Sequence, residues 1–245
     1  MIQGLMQLIG VTLPHGSTFA GDIDSLFGLI TWVVGFWYVA TNIMFFYLVA
    51  KYRARDGVKA QYITGSEPHL KSWISVPHAL IIFCDLFLII GAINVWYNVK
   101  QAMPERDRIV GIVVQQWAWT FVHPGPDGEL DTEDDIKTVD ELHVEVDKTY
   151  HFRLESKDVL HNFAVPSFRL KQDAIPGRVI LGWFKPTNVG EHLIQCAEMC
   201  GIGHGIMPAR LHVETAEQHD AWVRSHSEGS KVGLTTPSQV SGDPT

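Results

Sequence analysis

Cys196 and Cys200 stand four residues apart, are followed by His204 and Met207, and are preceded well upstream by His161 in the run Asp158-Val159-Leu160-His161. Two thiolates, two imidazoles and a thioether are soft or borderline donors, a mixture that suits copper better than calcium or magnesium. A mononuclear blue-copper site takes one Cys, two His and a weak axial Met. This chain offers one Cys more. If both sulfurs bridge, two coppers can be held, each completed by one His and one weak ligand, which is the donor set of a dinuclear electron-transfer centre. Plainer readings use the same residues. A Cys-x3-Cys pair in an exported domain is compatible with a disulfide, and two Cys with two His can hold structural zinc, although zinc sites usually show tighter spacings such as Cys-x2-Cys. Taken as a set, the donors favour copper. Of the three cysteines, Cys84 lies in an apolar stretch, where a free thiol behaves as a small apolar side chain. No Cys-x-x-Cys-His occurs, so no covalently attached c-type haem is expected in this chain.

Such donors need rigid elements to hold them. From about residue 105 the chain reads as short runs rich in Val, Ile, Thr and aromatic residues, punctuated by Gly and Pro. Residues 109–114, 142–146, 150–154, 179–184, 192–195 and 210–213 are predicted strands, several of them alternating with period two. Many short strands between turn residues imply a sandwich or barrel. The run Gln115-Gln116-Trp117-Ala118-Trp119-Thr120-Phe121 is also read as strand. On that reading Trp117 and Trp119 share one face, and core packing is the plain explanation for Trp119.

The first hundred residues have a different character. Leu26 to Ala50 contains no charged residue, and Ile74 to Val99 is broken only by His78 and Asp85. Each is long enough to cross a bilayer as a helix. Lys51, Arg53, Arg55, Lys59 and Lys71 lie between the two spans, whereas no Lys or Arg precedes the first. The positive-inside rule then places the connecting loop on the cytoplasmic or matrix side and both termini outside. The first span lacks a basic leader region and is followed by a basic flank, so it reads as an anchor rather than a signal peptide. Asp85 near mid-span costs about 2.5–3.5 kcal/mol on insertion scales and is expected to face protein or water. His78, seven residues earlier, falls on the same face.

With these residues set out, the chain resembles subunit II of haem-copper cytochrome c oxidases. The likeness is carried by Cys196 to Met207, by Asp158 to His161 and by Lys171-Gln172-Asp173-Ala174-Ile175-Pro176-Gly177-Arg178. It implies a two-helix transmembrane hairpin followed by an all-β Greek-key cupredoxin domain. It implies a dinuclear copper (CuA) centre with Cys196 and Cys200 as bridging thiolates, His161 and His204 as terminal ligands, and Met207 and the Glu198 carbonyl as axial ligands. The Glu198 side chain would face a magnesium or manganese ion shared with the catalytic subunit. Trp117 would receive the electron from a c-type cytochrome, and Asp158 would help to dock that donor. Oxygen chemistry and proton pumping would reside with haem in subunit I. The implied partners are subunit I, other oxidase subunits, the cytochrome donor and membrane lipid, without nucleic acid. The chain departs from the family pattern at Leu70, where a proton-pathway Glu is usual, with Glu67, His69 and Lys71 nearby. It departs again at Ala118, where Tyr is usual between the two Trp residues.

The expected organisation is a lead-in over 1–24 outside the membrane, a hairpin over 25–100 with spans at about 26–50 and 74–99, a copper domain over 105–224 and a disordered tail over 225–245. The tail is rich in Ser, Gly, Thr and Pro. A bacterial cytoplasmic membrane is favoured over the mitochondrial inner membrane. The copper domain would lie on the periplasmic side. Residues 127–147 are densely acidic, read either as a solvated loop or as a patch that steers a basic donor. Two other classes share parts of this pattern. A quinol oxidase subunit II has the hairpin without copper, but every expected ligand is present here. A tethered copper carrier would bind metal without belonging to an oxidase.

Overall fold

The computed structural model of the chain describes residues 14–60 and 62–232. These fall into two compact units, one spanning Gly21–Ala102 and the other combining the described residues up to Ala20 with those from Met103 onward.

The first unit is helical. Helix α1 runs Ala20–Lys51, and α2 runs Pro68–Trp96 and continues as a π-type turn over Tyr97–Gln101. Both are long and apolar enough to cross a membrane. An uncharged apolar run becomes helix in lipid because a helix satisfies its own backbone hydrogen bonds there. Pro68 opens α2 at its first position, where a missing amide hydrogen costs nothing. Large side chains such as Phe27, Trp32, Phe45, Phe83 and Ile90 point outward. A Cβ at Gly91 would meet Leu26 and Leu29 of α1 at 3.4 and 3.5 Å, so the small residue lets the two helices approach closely. His78 and Asp85 are both exposed on α2.

The second unit is a two-layer sandwich. Its strands are β1 Arg108–Gln115, β2 Ala118–His123, β3 Ile136–Val139, β4 Glu141–Glu145, β5 Tyr150–Ser156, β6 His161–Val165, β7 Leu170–Ala174, β8 Ile180–Phe184, β9 Gly190–Cys196 and β10 Ala209–Glu214. One sheet has the order β3-β2-β1-β5-β8, the other β4-β10-β9-β6-β7. The β1–β5 and β4–β10 pairs are parallel and the other ladders antiparallel. Period-two alternation does the sorting. Val110, Ile112 and Val114 of β1 and Phe152 and Leu154 of β5 are fully buried, as are Leu142, Val144, Leu211 and Val213 of the facing sheet. Phe163 joins the layers, with ring centroids 5.7 Å from Trp119, 6.5 Å from Phe121 and 5.9 Å from Phe152. Gly182, opposite Phe152 in the β5–β8 ladder, leaves room for that ring, since a Cβ there would come within 2.2 Å of it.

A strap ahead of α1 completes this unit. Gly16 N donates to Ser167 O at 2.9 Å, Ser17 Oγ to Phe168 O at 2.8 Å, and Thr187 N to Gly16 O at 3.0 Å. Phe19 meets Trp183 edge-on at 5.3 Å.

The sequence reading differs from this architecture in three places. The run 115–121 is not one strand. β1 pairs with β2 from Gln115 opposite Ala118, so Gln116 and Trp117 form the hairpin turn, and Trp117 does not share a strand face with Trp119. Strands β3, β6 and β7 lacked a clean alternation signal. All five residues of β6 are buried, which erases period two, while β7 carries Lys171, Gln172 and Asp173. Finally, helix α3 spans Ala216–Val232, continuing past residue 225 where a disordered tail was expected. The rest of that tail and residues 1–13 of the lead-in lie outside the described residues.

Candidate metal centre

Two adjacent strands and one loop bring the sulfur and imidazole donors together. β6 and β9 pair with Phe163 opposite Cys196, which sets His161 at the start of β6 near Cys196 at the end of β9. The loop from β9 to β10 then carries Glu198, Cys200, a short 3-10 turn over His204–Ile206, and Met207. Gly201, at φ +116°, takes a backbone conformation open mainly to glycine and turns the loop back after Cys200. His204 N donates to Gly201 O at 3.1 Å, closing that turn.

The sulfurs of Cys196 and Cys200 lie 3.8 Å apart. Both cysteines are free, and this gap far exceeds the roughly 2.05 Å of a disulfide. It does suit an ion held about 2.3 Å from each thiolate. His161 Nδ1 is 3.8 Å from Cys196 Sγ, and His204 Nδ1 is 3.6 Å from Cys200 Sγ. Met207 Sδ is 3.4 Å from Cys200 Sγ, and the Glu198 carbonyl oxygen is 3.2 Å from Cys196 Sγ. Each sulfur therefore has its own imidazole and its own weak donor, a two-ended arrangement rather than four strong donors drawn around one point. His161 and Met207 are buried and Glu198 is half-buried. Burial, and next the hydrogen bond with Cys196, pushes the Cys200 thiol up to about 11. Ionising both thiols side by side thus calls for positive charge between them, which a bound metal supplies as it displaces protons.

Asp158 stands behind His161. Its Oδ1 is 2.9 Å from His161 Nε2, and it accepts the amides of Gln116 and Val159, both at 2.6 Å. Burial works to raise its pKa, but the Gln116 amide, His161 and the Val159 amide outweigh burial and hold the carboxyl below its ordinary value. A carboxylate on the far nitrogen fixes the tautomer and the plane of a ligating imidazole. This contact was missed in the sequence, although Asp158 three residues before His161 was the available signal.

The β1–β2 turn holds the loop from the other side. Gln116 Nε2 donates to Cys200 O at 2.8 Å, Trp117 Nε1 to the same oxygen at 3.3 Å, and Trp119 Nε1 to Met207 O at 3.0 Å. Trp119 is fully buried, and its ring is edge-on to His161 at 6.5 Å. It therefore does more than fill the core. Trp117 is 37% exposed and lies over Gly203, where a Cβ would come within 2.3 Å of the indole. Leu160, Met199, Ile202 and Ile206 are exposed too, Ile202 almost completely.

Much of the acidic block is engaged locally. Asp131 makes a bidentate pair with Arg153 at 2.8 and 2.9 Å, Asp140 accepts the Trp119 amide at 2.9 Å, and Glu145 is 3.4 Å from Arg108.

Fold and site define a class: a cupredoxin-like Greek-key sandwich with a thiolate, imidazole and thioether cluster, in a chain that also carries two helices able to span a membrane. Residues 109–214 match the family model for the cytochrome c oxidase subunit II periplasmic domain. The alternative cytochrome c oxidase subunit 2 of Bradyrhizobium diazoefficiens is 30% identical over 83% of this chain and 79% of its own length. Cytochrome c oxidase subunit 2 of Cereibacter sphaeroides is 26% identical over 98% of this chain and 91% of its own. The crystal structure of the periplasmic domain of subunit II of cytochrome oxidase from Bradyrhizobium japonicum aligns with a TM-score of 0.47 at 27% identity, covering 52% of this chain and 99% of that one. The chain belongs to the cytochrome c oxidase subunit II family.

Proposed function

We propose that this chain is the electron-accepting subunit of a haem-copper cytochrome c oxidase. Cys196, Cys200, His161, His204, Met207 and the Glu198 carbonyl would hold a dinuclear copper centre, which supplies one-electron redox chemistry between a c-type cytochrome and haem in the catalytic subunit. Oxygen reduction to water and proton pumping belong to that partner subunit. The observation that carries the reading is the two-ended cluster, two free thiols 3.8 Å apart with an imidazole at each.

The chain's own residues have defined tasks in this scheme. Asp158 orients His161 through Nε2. Gln116 and Trp119 fix the carbonyls of Cys200 and Met207 and so limit movement of the loop between redox states. Trp117 joins the loop to the surface, because its indole is partly exposed and its N–H meets the Cys200 carbonyl. The exposed apolar side chains beside it suit a transient protein contact, with the acidic segment adding long-range attraction for a basic donor. The half-buried Glu198 side chain would face a magnesium or manganese ion at the junction with the catalytic subunit.

The same reading places the chain in a bacterial cytoplasmic membrane as a two-span protein. Both termini and the metal domain are then periplasmic, following the basic residues between the helices. The expected organisation of lead-in, hairpin, copper domain and tail belongs to this proposal.

The test is copper stoichiometry with electron paramagnetic resonance on the full chain in detergent. Two coppers with a seven-line hyperfine pattern support a mixed-valence pair. One copper with a four-line pattern, or none, overturns the assignment.

A further inference from the structure

The segment joining α1 to α2 stands out in a chain whose formal net charge is −8. Lys51, Arg53, Arg55, Lys59 and Lys71 face only two carboxylates there, Asp56 and Glu67. Glu67 is committed to the start of α2, where its Oε1 accepts Thr64 N at 3.1 Å and Thr64 Oγ1 at 2.9 Å. Lys51 is committed too. Its Nζ donates to the Tyr47 hydroxyl at 3.0 Å and lies 5.2 and 5.4 Å from the ring centroids of Tyr47 and Tyr52. Arg53, Arg55 and Lys59 are exposed, and no carboxylate among the described residues pairs with them. A turn closed by Val58 N donating to Arg55 O at 3.2 Å, with Gly57 at φ +80°, keeps these cations within one short loop.

We propose that this segment is a docking surface for anionic phospholipid headgroups, with Arg53, Arg55 and Lys59 as the groups that meet the phosphates. It rests on the two-span reading, which puts the segment where a helix pair leaves the hydrocarbon. The planar fork of an arginine matches two phosphate oxygens at once, and a lysine adds a point charge. Tyr52, Tyr62 and Trp73, in and beside the loop, are all exposed. Such rings settle at headgroup level, so they place the cations at the same depth as the phosphates. They also favour lipid over a soluble acidic partner, because an aromatic ring gains from the half-apolar headgroup layer.

The basic residues already serve as a signal for orientation. That signal is read during insertion, and afterwards the same cations face whatever the finished membrane presents. With no internal carboxylate to neutralise them, they are left to the phosphates of the adjoining leaflet. A basic segment at an anionic surface gains about fivefold in affinity for each Lys or Arg. Three available cations therefore make a preference of at least tenfold for an anionic over a zwitterionic lipid the expected size.

The test is native mass spectrometry of the full chain in detergent, titrated with phosphatidylglycerol or with phosphatidylcholine. Wild type should bind phosphatidylglycerol at least tenfold more tightly. The triple variant Arg53→Gln, Arg55→Gln, Lys59→Gln should bind the two lipids equally, with Lys51 and Lys71 left as the basic flanks and helix content checked by far-ultraviolet circular dichroism. Asp56→Asn removes the uncommitted carboxylate and should tighten phosphatidylglycerol binding, a gain that misfolding would not produce. No preference in wild type, or the same preference in the triple variant, overturns the surface. Displacement of the lipid by millimolar inorganic phosphate would reveal a plain anion site and overturn it as well. The two-span reading is tested separately in sealed vesicles, where cleavage of the loop by trypsin from the side of the sandwich would overturn that topology while the lipid titration stands on its own. None of these results bears on whether the thiolate cluster holds copper.

Discussion

Asp158 Oδ1 lies 2.9 Å from His161 Nε2, and on the opposite edge of the same ring Nδ1 faces Cys196 Sγ at 3.8 Å. The carboxylate and the sulfur thus grip one imidazole from its two nitrogens. Replacing Asp158 with Asn removes the negative charge that orients the ring and supports its basicity. Metal affinity should fall about 10–100-fold with the sandwich still folded. Competition against a copper chelator measures this, and unchanged copper retention in Asp158→Asn would show that the contact has no role in ligation.

Trp119 ties the core to the end of the β9–β10 loop through its 3.0 Å hydrogen bond to Met207 O. Trp119→Phe keeps an aromatic ring but leaves a buried carbonyl without its donor, a loss of about 1–3 kcal/mol. Because the freed carbonyl belongs to Met207, a lower melting temperature should come with a changed reduction potential of the loaded centre. A drop in stability with the potential unmoved would reduce Trp119 to a packing residue.

Trp117 and Gly203 make a linked pair. The indole covers Gly203 so closely that a Cβ there would come within 2.3 Å of the ring. Gly203→Ala should displace Trp117 and slow electron transfer from a reduced c-type cytochrome, as should Trp117→Ala, with copper content unchanged in both. If the glycine acts through the tryptophan, the double variant is no slower than Trp117→Ala alone. Stopped-flow mixing gives the rates, and additive losses would mean that Gly203 acts independently.

The candidate metal donors could be singled out in sequence because their chemistry is local: Cys196 to Met207 is one loop, and its residue types suggest a site without knowledge of the fold. His161 joined them through its motif, and the structure delivers it by pairing β6 with β9. The supporting groups were less legible. Asp158 was singled out as a docking residue, and its contact with His161 appears only once the turn after β5 is formed. Gln116 lies 84 residues from the carbonyl it binds, and no sequence periodicity reports such a contact. The break between Gln115 and Ala118 was hidden because turn and strands share one polar-aromatic composition. The membrane helices were plain, since an uncharged run in lipid has few alternatives. The β4–β10 register was illegible, because it depends on a parallel pairing between strands nearly seventy residues apart.

His123 makes the domain acid-sensitive independently of any metal. It is buried on β2, where its Nε2 is 3.2 Å from Thr138 Oγ1, and burial first, then the neighbouring His143 and His219, push its pKa down to about 3. In the unfolded chain the same imidazole titrates near 6.5. Between those values the unfolded state binds the proton and the native state does not, so stability rises with pH across the window and is lost as pH falls from about 6.5 toward 3. One such group contributes at most about 1.4 kcal/mol per pH unit, and His143, shifted in the same direction, adds to the slope. His123→Gln keeps a polar side chain for Thr138 but cannot take up a proton. Its melting temperature should therefore fall less than that of wild type between pH 6.5 and 4.5, measured on the full chain in detergent. Parallel curves for the two proteins would place the acid sensitivity in other groups.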